Sequence, residues 1–180
     1  NAENLYKEVL KINPNHFESI LHLGTLLGQN DKPNLAKPFF QKAIQMNPNN
    51  IKIHNNLGMV FQKLGEHQEA INSFEKAISI SPNYIQGHFN LGNLQRELGN
   101  HQAAMNCYLK AIQIDPENIN ITNALSNLLR LFQIGNVTET DKNKLKNLFL
   151  FLFKGNNINH TDIAHNAKLI LFNKKYENQI

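Results

Sequence analysis

Apolar residues recur along this chain at three- and four-residue spacings, and from Ile51 to Asn118 the whole arrangement repeats, its second half overlying its first at a 34-residue period. His54 falls on His88, Leu57-Gly58 on Leu91-Gly92, Leu64-Gly65 on Leu98-Gly99, and His67-Gln68 on His101-Gln102. Ala70, Phe74, Ala77 and Pro82 then meet Ala104, Tyr108, Ala111 and Pro116. Leu57 and Phe61, like Leu91 and Leu94, share one face of a first helix. Ala70, Phe74 and Ala77 form a small-large-small stripe on a second helix, which Pro82 stops. Gly58 and Gly92 allow a neighbouring helix to approach closely, and Gly65 and Gly99 suit a left-handed helix cap. A single pair of this kind cannot bury its own apolar face, so the pairs must stack.

The register extends in both directions. Ala2, Tyr6, Val9 and Pro14 reproduce the second-helix spacing, so residues 1–16 read as a half repeat and the chain is expected to be part of a longer protein. Whole repeats follow at 17–50, 51–84 and 85–118, then a partial one at 119–132, with helices expected at 17–29, 34–46, 51–63, 67–80, 85–97, 101–114 and 119–132. Pro33 and Pro38 flank the start of the 34–46 helix, which predicts that it is shortened or kinked. Beyond Phe132 the register fails. Residues 134–138 read as a loop, and helices near 139–154 and 161–175 make 133–180 a two-helix C-terminal cap. Within it Leu148 to Phe153 is uninterrupted apolar sequence, more than one helix face can hide. The surplus predicts that residues 145–172 contact either a second copy of the chain or a domain outside it.

Composition narrows the function classes. The chain has 180 residues, 41% of them hydrophobic and 18% charged, as in folded domains rather than disordered ones. A net charge of +4 is spread over scattered Lys and Arg with no basic stripe or base-stacking motif, which argues against nucleic acid as a partner. A single cysteine, Cys107, excludes an internal disulfide, and no apolar run reaches the length of a membrane span, so the default expectation is cytoplasmic. Of the eight histidines, His54, His88, His67 and His101 are explained by repetition. His160 and His165 lack the spacing of a helical zinc pair, and there is no phosphate-binding glycine loop or nucleophile elbow. No metal, cofactor or catalytic group is expected.

The order Leu-Gly, aromatic, Ala, aromatic, Ala, Pro at this period resembles the tetratricopeptide repeat family over residues 2–132. Ile20, His54 and His88 stand where that family favours Trp. The resemblance implies an all-α, right-handed α-solenoid of antiparallel helix pairs, whose first helices line a concave groove that binds a protein or peptide ligand. By that correspondence the groove carries His22, Thr25, Lys52, Asn55, Asn56, Met59, Lys63, Phe89, Asn90, Asn93, Arg96, Asn123, Asn127 and Arg130, with Glu18, Leu21 and Gln86 beside them. Asn56 and Asn90 both precede Leu-Gly, which resembles the asparagine ladder in the repeats of O-linked N-acetylglucosamine transferases. Asparagine is about one residue in six here, however, so codon bias alone accounts for some of that coincidence. The basic residues of a carboxylate clamp are missing, since Leu21, Asn55 and Phe89 occupy the places where they would start. The resemblance thus implies an interaction scaffold. Its alternatives are the substrate-recruiting arm of a larger transferase and a self-assembly module.

Overall fold

The helix Phe17–Gln29 opens because the His16 imidazole accepts a hydrogen bond from the Ser19 amide at 3.3 Å, and the helix Ile51–Lys63 because the Asn50 side chain accepts one from the Ile53 amide at 3.2 Å. Each of these bonds satisfies an amide that the first turn leaves without an intrahelical partner. The computed structural model of the chain describes residues 2–115 and 118, together with 120, 121, 123, 124 and 127. Among these the elements are helices only: α1 (Ala2–Ile12), α2 (Phe17–Gln29), α3 (Pro33–Met46), α4 (Ile51–Lys63), α5 (His67–Ile80), α6 (Ile85–Glu97) and α7 (His101–Ile114). Residues 120, 121, 123, 124 and 127 are helical as well. The expected cap at 133–180, and the contact surface expected at 145–172, lie outside the described residues.

The chain forms two compact units, Asn1–Leu94 and Gln95–Ile180. In the first unit α1 packs on α2, α2 on α3, α3 on α4 and α4 on α5, with a lighter contact between α2 and α4. Three-residue turns join α2 to α3 and α4 to α5, so each of these pairs runs antiparallel. Its core is built from the repeating stripes: Ile20, Leu23 and Leu27 with Ala36, Phe40 and Ala43, then Ile53, Leu57 and Val60 with Ala70, Phe74 and Ala77. In the second unit Ala104, Met105, Tyr108, Ala111 and Ile112 are fully buried on α7. That burial pushes the Tyr108 phenol up to about 12, while the adjacent Arg96 guanidinium, which also hydrogen-bonds it, pulls the other way.

The turns between paired helices share one device. Gly65 and Gly99 take left-handed φ of 75° and 77°, and Asp31, at the same repeat position, takes 56°. The amide after each bonds back five residues, from Lys32 to the Leu27 carbonyl, Glu66 to Phe61 and Asn100 to Gln95, at 2.9, 2.9 and 2.8 Å.

The two histidines at the Trp position of the repeat do comparable work at the junction between repeats. Nε2 of His54 lies 2.7 Å from the Pro48 carbonyl and Nε2 of His88 lies 2.8 Å from that of Pro82, so each ring donates to the proline ending the preceding unit. Ile20 has no such atom, and the corresponding Pro14 carbonyl is taken instead by Lys42 Nζ at 2.7 Å. A further bridge joins successive units where Lys37 on α3 meets both carboxylate oxygens of Glu66, at 2.9 and 2.6 Å, and lies over the Phe61 ring.

The shortening expected of the third helix is not seen. Helix α3 is not shortened by its prolines and has 14 residues, as many as α5 and α7. Pro33 occupies the first turn, where its missing N–H has no intrahelical role. Pro38 removes only the bond to the Asn34 carbonyl, and both residues are exposed, so water can serve that oxygen.

Helices α4 and α5 approach closely at Gly58. A Cβ placed there would lie 2.6 Å from Cε1 of the buried Phe74 ring, whereas one at Gly28 would find only ordinary contacts, 3.7 Å from Val60 and 3.9 Å from Ala36. Gly58→Ala is therefore expected to destabilise the fold by about 1–3 kcal/mol despite its better helix propensity, and Gly28→Ala to be neutral or slightly stabilising. Urea unfolding of both variants checks this, and equal midpoints would show that the Gly58–Phe74 contact does not set the helix spacing.

Candidate functional site

The first helices of the first unit bring part of the expected groove together. Thr25 on α2 and Asn56, Met59 and Lys63 on α4 line one cavity of about 150 Å³, with Gly28, Gln29, Phe40 and Val60. Thr25 and Asn56 face each other because residues three and four apart on α2 and α4 fall on the same side of their helices. Asn56 Nδ2 lies 3.4 Å from Thr25 Oγ1, a long bond, while the threonine hydroxyl donates to the Leu21 carbonyl at 2.8 Å. Lys63 closes the far end. Its ammonium donates to Asp31 Oδ1 at 2.9 Å and to the Gly28 carbonyl at 3.1 Å.

The remaining expected groove residues divide. Lys52 is exposed on the first turn of α4, and Phe89 and Asn93 are half-buried on α6. His22 is exposed on α2, stacked on Tyr6 with ring centroids 5.5 Å apart, and its Nε2 is 3.7 Å from Glu18. Asn55 corrects the reading of an open asparagine column. It is only 5% exposed, and its Oδ1 accepts a hydrogen bond from Asn90 Nδ2 at 2.9 Å. Asn90 thus fastens α6 to α4, and its amide is not wholly free for a ligand, because helix-to-helix spacing places it opposite Asn55 rather than opposite its repeat equivalent Asn56. In the second unit Arg96 is turned onto Tyr108, while Asn123 and Asn127 are exposed and helical. Arg130 lies outside the described residues.

Four cavity residues escaped the sequence reading. Phe40 holds the repeat position of Phe74 in the second-helix stripe, yet its ring reaches Gly24 and borders the cavity. Val60 carries no signal beyond ordinary apolar periodicity, and Gln29 none at all. Gly28 was legible in principle, as a helical glycine outside the Leu-Gly pair and outside any left-handed turn.

No group of three or more His, Cys, Asp or Glu that could hold a metal occurs among the described residues, and Cys107 is half-buried on α7. No helix among the described residues is long and apolar enough to cross a membrane.

Comparison with known families agrees with this architecture. Tetratricopeptide repeat models match residues 17–50 and 49–117, so the chain is a tetratricopeptide repeat protein across that span. No curated protein sequence matches. Among solved structures, the chain is similar to MamA at a TM-score of 0.68 and 23% identity, covering 92% of this chain and 86% of that one. It is also similar to MamA 41-end from Desulfovibrio magneticus RS-1, at 0.62 and 22% identity over 65% of this chain and 66% of that one. The first TPR of Spaghetti (RPAP3), bound to the HSP90 peptide SRMEEVD, gives 0.61 and 17% identity over 64% of this chain and 92% of that one. At such identities the likeness speaks for the fold.

The two asparagines that precede Leu-Gly should behave differently. Asn90→Ala strands the buried Asn55 carbonyl oxygen and is expected to destabilise the fold by about 1–3 kcal/mol, whereas Asn56→Ala gives up one long, half-exposed bond and should stay within about 0.5 kcal/mol. Chemical denaturation of the two single variants distinguishes them, and equal effects would contradict the Asn55–Asn90 bond.

Proposed function

We propose that this chain is a protein-interaction scaffold that takes up a polypeptide segment along the first-helix face of α2, α4 and the start of α6. The observation that carries the reading is the convergence of Thr25, Asn56, Met59 and Lys63, from two successive first helices, on one apolar cavity with an amide at its rim. Amide side chains offer a donor and an acceptor together and so suit a peptide backbone, while a cavity selects among side chains. Exposed Lys52 and half-buried Phe89 and Asn93 extend the same face. The solved repeat domain that carries an HSP90 peptide is a precedent for peptide capture by this fold. Its ligand sequence is acidic, and the basic cluster that would receive such a peptide is not found on the first helices of the described first unit.

Selection of random peptides on the immobilised chain, followed by anisotropy titration of a labelled winner, tests the proposal. The double variant Asn56→Ala, Met59→Ala should weaken binding by about 1–3 kcal/mol while leaving the helical circular dichroism unchanged, because neither side chain is part of the core. Undiminished binding would place the ligand elsewhere.

A further inference from the structure

The cavity between α2 and α4 carries an unusual charge arrangement. Its volume of about 150 Å³ is that of an apolar site able to hold a benzene-sized group. Phe40, Val60, Met59 and the backbone of Gly28 give it apolar walls, and Lys63 is the one charged side chain among its lining residues. That charge is already answered by the Asp31 carboxylate at 2.9 Å and the Gly28 carbonyl at 3.1 Å. The pair is solvent-exposed and so weakens the attraction of Lys63 for an anion rather than abolishing it. An acidic side chain entering here would be desolvated beside a cation already paired with a carboxylate, and a basic one beside a cation outright. An uncharged apolar group meets neither penalty.

Asp31 supplies a second, independent observation. It occupies the left-handed turn position with φ of 56°, where the next two repeats place Gly65 and Gly99. Glycine would adopt that backbone without strain, and Asp is among the few other residues that tolerate it. Glycine would serve the turn equally well, and the bond that the carboxylate makes is to Lys63.

Resting on the scaffold reading above, we infer that this cavity is an anchor subsite for one uncharged side chain of leucine, methionine or phenylalanine size in a bound peptide. Asp31 is its specificity-determining residue: by neutralising Lys63 it keeps acidic residues from being preferred next to the anchor.

The test uses the full chain and a phage-displayed library of random dodecapeptides, with the winning consensus resynthesised for anisotropy. Wild type should enrich peptides sharing one Leu, Met or Phe and no acidic neighbour to it. Changing that peptide residue to Ala should weaken binding about tenfold or more. Gly28→Leu, whose Cβ meets only ordinary contacts, grows into the cavity and should cause a similar loss that is not additive with the peptide change. Should that variant fail to fold, Met59→Glu at an exposed position, which puts a carboxylate on the rim, should give the same loss. Asp31→Asn keeps the left-handed turn and removes the charge, so a fresh selection on it should enrich Asp or Glu beside the anchor. Peptides that bind but ignore Gly28→Leu and Met59→Glu would overturn the subsite and leave the scaffold reading intact. Identical selections with and without the Asp31 carboxylate would overturn its role, and failure to enrich any peptide would overturn both readings together.

Discussion

The distance between the two helices of a repeat governs everything built on them, and in the described first unit it is set by an aromatic ring against a glycine. Phe74 lies against Gly58 so closely that a Cβ could not be added, and Phe39 and Phe40 lie against Gly24 with slightly more room. The buried alanines Ala36, Ala43, Ala70 and Ala77 flank those rings on the same stripe and add no bulk to it. A small-large-small stripe on one helix against a glycine on its partner makes a pair narrow enough to stack, and stacking buries what neither helix hides alone. Because α2 and α4 stand in successive pairs, their separation follows from the same contacts. The cavity between them is a consequence of that spacing, with Phe40 filling only part of the gap.

Polar contacts refine this frame. Histidines at the Trp position give up aromatic area, but their Nε2 atoms reach proline carbonyls six residues earlier, and Lys42 serves the carbonyl next to Ile20, which has no polar atom to offer. The ion pair of Lys37 with Glu66 is only partly shielded, so it fixes geometry more than it adds stability. Asn55 and Asn90 repeat the theme between first helices, where a buried amide must find a partner and finds one in the chain itself.

The helices of the repeats were legible from spacing because each rests on local rules: apolar positions on one face, glycine at a left-handed turn, proline beyond the end. Asp31 shows the limit of such rules, since nothing in its neighbourhood marks it as the equivalent of Gly65 except the 34-residue period. Pro38 does not shorten its helix, because its cost depends on whether the orphaned carbonyl reaches water, which is a property of the assembled fold. The groove was legible as a face but not as a site. Thr25, Asn56, Met59 and Lys63 follow from repeat position, yet the closing of Asn55 onto Asn90 and the intrusion of Phe40 depend on rotamers and helix offsets that no single repeat encodes.

The central claim is that the first-helix face receives the ligand, and the chain carries a matched pair of reporters for it. Met59 on α4 and Met46 on α3 are almost equally exposed, at 44% and 42%, while Met105 is fully buried. With all three methionine methyl groups labelled with carbon-13, adding a selected peptide should move the Met59 resonance and leave Met46 and Met105 in place. Movement of Met46 with Met59 unchanged would put the ligand on the second-helix face and contradict the account.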